Sequence, residues 1–227
     1  MAVKAKIMNI TPQGQMILVA PADIDRIDRW NAKEALVEIV DPRPLSSDQR
    51  KMCYALINAI ADFSGHSTTG AKEFLKLEFL ADNVGRLGDK IFSLANAPMS
   101  LVAQFQKWLV DFCIEFDVPT KLPLYEYCDD LDAYVFSCIM HKRCVICGKR
   151  ADLHHCEKSR VGLGSREKMI HEGLEVITLC RLHHDECHSM SEREFFDKYH
   201  LNGGIRADKT ICRLYKLKTK KENDNDN

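Results

Sequence analysis

Three features of the chain predict an α+β fold. Two short apolar runs, residues 3–10 and 15–20, flank Thr11-Pro12-Gln13-Gly14 and read as a β-hairpin. Apolar stripes at helical spacing then recur as far as residue 140. The segment Cys144–His188 packs cysteines and histidines at knuckle spacing, the sequence form of a small segment stapled by a metal. The expected architecture is an N-terminal α/β region with a hairpin and helices, followed by a small zinc-stapled domain.

The elements follow in order. Ala35-Leu-Val-Glu-Ile-Val40 reads as a further strand, closed by Asp41-Pro42-Arg43-Pro44. Ser46 with Gln49 makes a capping-box signal, after which Met52, Leu56, Ile57 and Ile60 recur at helical spacing. A second helix is expected across Ala71–Leu80, and a third across Ser100–Phe116 after the glycine-containing stretch 85–88. The stripe Leu101, Phe105, Leu109, Phe112 on that third helix reads as core packing. Leu131–Met140 reads as a helix running straight into the first knuckle, and Ser191 with Glu194 caps a short helix ending near Tyr199.

Composition narrows the classes. The chain has 227 residues and 45% hydrophobic content, enough to bury a core. It holds no run of eighteen apolar residues, and its first residues lack the apolar region of a signal peptide. Ten cysteines in that context imply a reducing compartment, so the expectation is a cytoplasmic protein without a membrane. The net charge of −1 conceals an asymmetry: residues 1–140 carry 14 Lys/Arg against 19 Asp/Glu, and residues 141–221 carry 18 against 11. The cysteine/histidine-rich part is thus the basic part, as expected of a segment that meets phosphates. The acidic tail from Glu222 offers nothing to bury and is expected to be disordered.

Cys144-x-x-Cys147 and Cys180-x-x-His183 each place two soft ligands on one turn, and together they complete a tetrahedral zinc site. Cys156 and Cys187 lie close enough in sequence to be alternatives to His183 as fourth ligand. His154, His155, His184 and His188 are surplus to such a site. His184 and His188 stand at i and i+4, on one helix face.

The pattern C-x-x-C-G, L-H-H, then an apolar strand ending in L-C-x-x-H-H-x-x-x-H resembles the HNH nucleases, a ββα-metal fold. Carried over by position, the resemblance implies structural zinc on Cys144, Cys147, Cys180 and His183. It implies a catalytic divalent metal, Mg²⁺ or another, on His154, His184 and His188, with His155 as general base for phosphodiester hydrolysis. The family carries Asn at the start of the apolar strand, to steady the loop of the base; Glu175 stands there, and a carboxylate accepts a hydrogen bond but cannot donate one. Lys142, Arg143, Lys149, Arg150, Lys158, Arg160, Arg166 and Lys168 surround the knuckles and are expected to contact phosphates, with Gly162 and Gly164 in a flexible loop.

A second resemblance covers residues 1–120. A hairpin, a strand, then R-P-L-S-S-D-Q-R-K at the head of a helix is similar to the Orf/NinB recombination mediators of bacteriophages. It implies DNA contact by Arg43, Arg50 and Lys51, a homodimer, and partnership with single-stranded DNA and the host single-strand-binding protein. The expected division is 1–130 for DNA binding and dimerisation, 131–215 for the zinc-binding HNH domain and 216–227 for the tail. The whole resembles a group of phage HNH nucleases acting in DNA recombination on single-stranded, duplex or branched DNA. The alternative is a non-catalytic mediator whose zinc domain only binds DNA.

Overall fold

The computed structural model describes residues 4–35, 37, 39, 41–83, 92–156 and 169–220, and separates into two units, Met1–Val40 and Asp41–Asn227. In the first, strands β1 (Lys6–Ile10) and β2 (Met16–Val19) pair antiparallel, with Lys6 opposite Val19 and Ile10 opposite Met16. The turn closes through the Gly14 amide on the Thr11 carbonyl at 2.9 Å, with Gly14 in the left-handed region. Helix α1 (Ile24–Trp30) follows, capped by the Asp23 side chain; no apolar stripe announced so short a helix. The strand expected over 35–40 falls on a segment of which 36, 38 and 40 lie outside the described residues.

The second unit opens with helices α2 (Ser47–Ser64), α3 (Thr68–Asp82) and α4 (Met99–Glu115). Ser46 and Gln49 form the expected reciprocal cap of α2, the Ser46 hydroxyl accepting the Gln49 amide at 3.1 Å. The buried faces of α2 (Cys53, Leu56, Ile57, Ile60), α3 (Ala71, Leu75, Phe79) and α4 (Val102, Phe105, Leu109) meet in one core. Phe79, Phe92 and Phe105 pack edge to face with centroids 5.2–5.9 Å apart. Each such buried side chain contributes about 1.5–3 kcal/mol by leaving water. The buried Gln106 amide donates to the Tyr127 carbonyl at 2.5 Å, tying α4 to the 3-10 turn Leu124–Tyr127.

Helix α5 (Leu131–Met140) is capped by Asp130 and lies in this second unit. The Tyr134 hydroxyl donates to the Val145 carbonyl at 2.8 Å, which fixes the knuckle after α5 to the helix itself. Strands β3 (Asp152–His155), β4 (Glu175–Leu179) and β5 (Ile205–Arg206) form an antiparallel sheet in the order β3-β4-β5. Helices α6 (Arg181–Ser189) and α7 (Glu192–Lys198) follow β4, and α8 (Lys209–Leu214) follows β5. The Tyr215 hydroxyl, just past α8, donates to the Ile139 carbonyl at 2.9 Å and closes the sheet region onto α5. The architecture is α+β, with a β3-β4-α6 arrangement carrying the cysteines and histidines. Among the described residues no helix is long and apolar enough to cross a membrane.

Candidate metal centre

The ligand atoms of Cys144, Cys147, Cys180 and His183 all lie within 4.8 Å of one another. Cys144 and Cys147 sit in the turn after α5, while Cys180 ends β4 and caps α6, so the β4-to-α6 junction brings the knuckles together. The spacings suit a tetrahedral ion. Cys147 Sγ stands 3.7 Å from Cys180 Sγ, and His183 Nδ1 stands 3.4 Å from Cys144 Sγ and 3.2 Å from Cys180 Sγ. Zinc bond lengths set these edges at about 3.8 Å for S···S and about 3.6 Å for S···N. This Cys3His set could therefore hold zinc. Burial pushes the Cys144 thiol up to about 12, so its thiolate form requires a cation beside it. At Cys180 desolvation is outweighed by the amides of His183 and Leu182 and the neighbouring thiols, and the thiol is lowered. His183 is lowered by desolvation, which favours the neutral imidazole a metal needs. Cys156 and Cys187, the sequence alternatives to His183, stand outside this set.

A second set converges on the other face of α6. Ligand atoms of His154, His184 and His188 lie within 4.8 Å of one another, and their ring centroids are 4.6–5.2 Å apart. The i, i+4 spacing on α6 aims His184 and His188 at β3, where His154, 6% exposed, faces them. His184 Nδ1 is buried without a hydrogen-bond partner among the described residues. Desolvation, with the nearby His188, lowers the His184 pKa and keeps its ring neutral. Three imidazoles whose ring nitrogens lie this close together are a donor set for a divalent ion. Two more residues join His154, Cys187, offered in the sequence as an alternative zinc ligand, and Glu192, which carried no signal there: Cys187 Sγ and Glu192 Oε1 stand 3.8 Å and 3.7 Å from its Nε2. Glu192 opens α7 between its capping residues Ser191 and Glu194, where a carboxylate suits the helix N-terminus and does not read as a ligand.

Adjacent strand residues point to opposite faces, so His155 turns away from His154. Its Nε2 stands 2.9 Å from Nδ1 of His171, a buried residue that carried no spacing signal in the sequence. Glu175 accepts the Gly204 amide on Oε1 at 3.1 Å, and its main-chain carbonyl accepts the Cys156 amide at 3.0 Å. Its side chain thus steadies the turn before β5, while its backbone steadies β3 next to His155.

Of the residues expected to contact phosphate, Arg143, Lys149 and Arg150 line one cleft together with Lys121. Arg143 is paired with Asp117 at 2.6 Å, and the Lys142 ammonium lies 5.5 Å from the centre of the Tyr215 ring. Lys158, Arg160, Arg166 and Lys168, with Gly162 and Gly164, lie outside the described residues. At the head of α2, Arg43 is bound to Asp41 at 2.8 Å and Lys51 to Asp48 at 3.0 Å, and Arg50 donates to the Ala95 carbonyl at 3.0 Å.

Residues 17–218 match a family model described as "Putative HNHc nuclease". No curated protein and no solved structure matches the chain. The matched span takes in both sets of cysteines and histidines and most of the length, and the chain belongs to this HNHc nuclease family.

Proposed function

We propose that the protein is a metal-dependent endonuclease that hydrolyses DNA phosphodiester bonds. The observation that carries this reading is the convergence of His154, His184 and His188 on one point, with His155 next to it on the same strand. His154, His184 and His188 would hold the divalent ion, which when bound offsets charge on the scissile phosphate and stabilises the leaving oxygen. Imidazole donors suit Zn²⁺, Ni²⁺ or Fe²⁺ better than Mg²⁺. The Cys3His set would hold structural zinc and keep β4 and α6 at a fixed angle.

His155 takes the proton of the attacking water, a task suited to an imidazole titrating near neutral pH. In-line displacement needs nucleophile and leaving group on opposite sides of the phosphorus. The ion that His154 would help to hold would stabilise the leaving oxygen, and His155 would remove the proton of the attacking water. Arg143, Lys149 and Arg150 hold the duplex by its phosphates, which positions DNA without reading its sequence. The recombination setting, single-stranded or branched DNA as substrate, a host single-strand-binding protein as partner, a homodimer and a cytoplasmic location rest on the resemblance of the N-terminal region alone. The capped first turn of α2 is the feature that supports it.

The test is nicking of plasmid and of single-stranded, duplex and branched oligonucleotides with Mg²⁺, Mn²⁺, Ni²⁺ or Zn²⁺. Wild type is expected to cleave, and His155→Ala to lose about 10²–10⁴-fold in rate while folding and DNA binding persist. Undiminished cleavage by His155→Ala sinks the base assignment. Absence of cleavage with every metal leaves the non-catalytic mediator as the function.

A further inference from the structure

We infer that the cleft beside the first knuckle is a docking site for an acidic peptide that carries aliphatic side chains. The inference goes beyond the nuclease reading, and its test requires no cleavage. The cleft lies between the loop that leaves α4, residues 117–123, and the knuckle turn, residues 143–150. Its volume is about 770 Å³, within the roughly 300–1,000 Å³ of ligand pockets. Two chemistries meet in it. Lys121, Lys149 and Arg150 line it, all three exposed, and none has a carboxylate partner among the described residues. The fourth cation, Arg143, is paired with Asp117, just as Arg43 and Lys51 at the head of α2 are each held by an aspartate. Unpaired like charges around one concavity raise its potential and favour an anion. Beside them Val118, Leu122, Leu124 and Ile146 form an aliphatic wall, of which Leu122 is 54% exposed.

Nucleic acid meets only the first of these chemistries. Unpaired bases are held on aromatic faces. The aromatic residue that lines the cleft is Tyr134, 4% exposed, with its hydroxyl donated to the Val145 carbonyl. A phosphate backbone would satisfy the cations and leave the aliphatic wall in water. An acidic peptide satisfies both, with carboxylates on Lys121, Lys149 and Arg150 as charge-assisted hydrogen bonds and aliphatic side chains against Leu122 and Ile146. Both walls are tied down by main chain. The Lys149 carbonyl accepts the Cys144 amide at 2.7 Å, which fixes the basic turn to the knuckle. Opposite, the Val118 amide donates to the Cys113 carbonyl at 3.0 Å, and the Thr120 hydroxyl donates to the Leu122 carbonyl at 2.7 Å. A site already in shape is filled at little ordering cost. Lys149 and Arg150 are also the cations assigned to duplex phosphates, so peptide and duplex compete. A partner that bears such a segment displaces DNA from this face.

The test is fluorescence anisotropy on the full-length, zinc-loaded protein. The probe is a fluorescein-labelled peptide of four aspartates followed by Leu-Pro-Leu-Leu. One control peptide has its aspartates replaced by asparagine, a second has its leucines replaced by serine, and labelled single-stranded and duplex oligonucleotides stand beside them. The parent peptide is expected to bind about tenfold tighter than either control peptide, and unlabelled duplex to displace it. Leu122→Ser is expected to weaken the parent peptide about tenfold and leave duplex affinity unchanged, whereas Lys149→Glu weakens both. No binding of the parent peptide overturns the proposal, as does equal binding of the serine control or an affinity indifferent to Leu122→Ser. An oligonucleotide whose affinity falls with Leu122→Ser makes the cleft a nucleic-acid site and overturns it too. Should Lys149→Glu lose its zinc, Lys121→Glu and Leu122→Ser, both on the opposite wall, decide the matter. Absence of nicking bears on the nuclease reading alone and leaves the peptide site standing.

Discussion

Substitution of Gly204 by alanine tests how tightly β5 is held against the site. A Cβ there would stand 2.7 Å from Cys156 Sγ, 2.7 Å from the Val176 carbonyl oxygen and 3.0 Å from the Val176 carbonyl carbon. Ordinary contact starts at 3.4 Å, so relief requires β5 to retreat by 0.7 Å (3.4 − 2.7). The cysteine sulfur can rotate aside; the carbonyl, fixed in β4, cannot. The β4–β5 ladder is only two pairs long, Glu175 with Arg206 and Val176 with Ile205, and a retreat of that size loosens both. Overpacking against fixed atoms lies at the upper end of its usual range, about 3 kcal/mol. For a unit of this size that lowers Tm by about 6–12 °C. Scanning calorimetry of the zinc-saturated protein measures it, with Gly204→Ala made in wild type and in Cys156→Ala. The loss is expected to be the same in both backgrounds. A drop below about 2 °C, or a cost that vanishes once Cys156 is Ala, would show that the Val176 carbonyl is not the wall.

Three further outcomes are expected. Removal of the knuckle metal with a chelator should disorder β3, β4 and α6 and leave α2, α3 and α4 helical, since a structural zinc site contributes on the order of 10–16 kcal/mol in small domains; amide NMR checks it, and an unchanged spectrum contradicts the assignment. Glu192→Ala should weaken divalent-metal binding at His154, His184 and His188 by about 10–100-fold, measured by calorimetry with the knuckle kept zinc-loaded, because its carboxylate orients His154. Side-chain and backbone hydrogen bonds from Arg43 hold the Asp41 carboxyl well below the usual carboxylate range, so its stabilising effect is present above the unfolded pKa and fades as pH falls through the folded one. Urea midpoints should therefore place Asp41→Asn below wild type at neutral pH and bring the two together in acid; a constant gap would mean the carboxylate charge is not involved.

Much of the fold was legible because it rests on local rules. The capping box at Ser46 and Gln49, the apolar stripe of α4 and the span of α5 each follow from spacing within one element. The knuckles were legible for a related reason, since two ligands two residues apart can reach one ion only from a tight turn. His171 was invisible because its meeting with His155 depends on the β3–β4 register and on the turn between Ile170 and Glu175. Sixteen residues of separation carry no period to read. Glu192 was obscured differently: an acidic residue in the first turn of α7 has a sufficient local reason that hides its approach to His154, while Cys187, offered as a zinc ligand, meets His154 instead. Helix α1 went unread because it is short and buries none of its residues.

Helix α6 carries His183 in one candidate ligand set and His184 in the next, so consecutive residues would face different ions. The entropy lost in ordering that helix is common to both sets, so whichever ion arrives first leaves the second a rigid site. By linkage the benefit is mutual, and occupancy of either set raises the affinity of the other by the same factor. If both sets bind ions, metal loading would be cooperative: at limiting metal, molecules would tend to be filled at both sets or at neither.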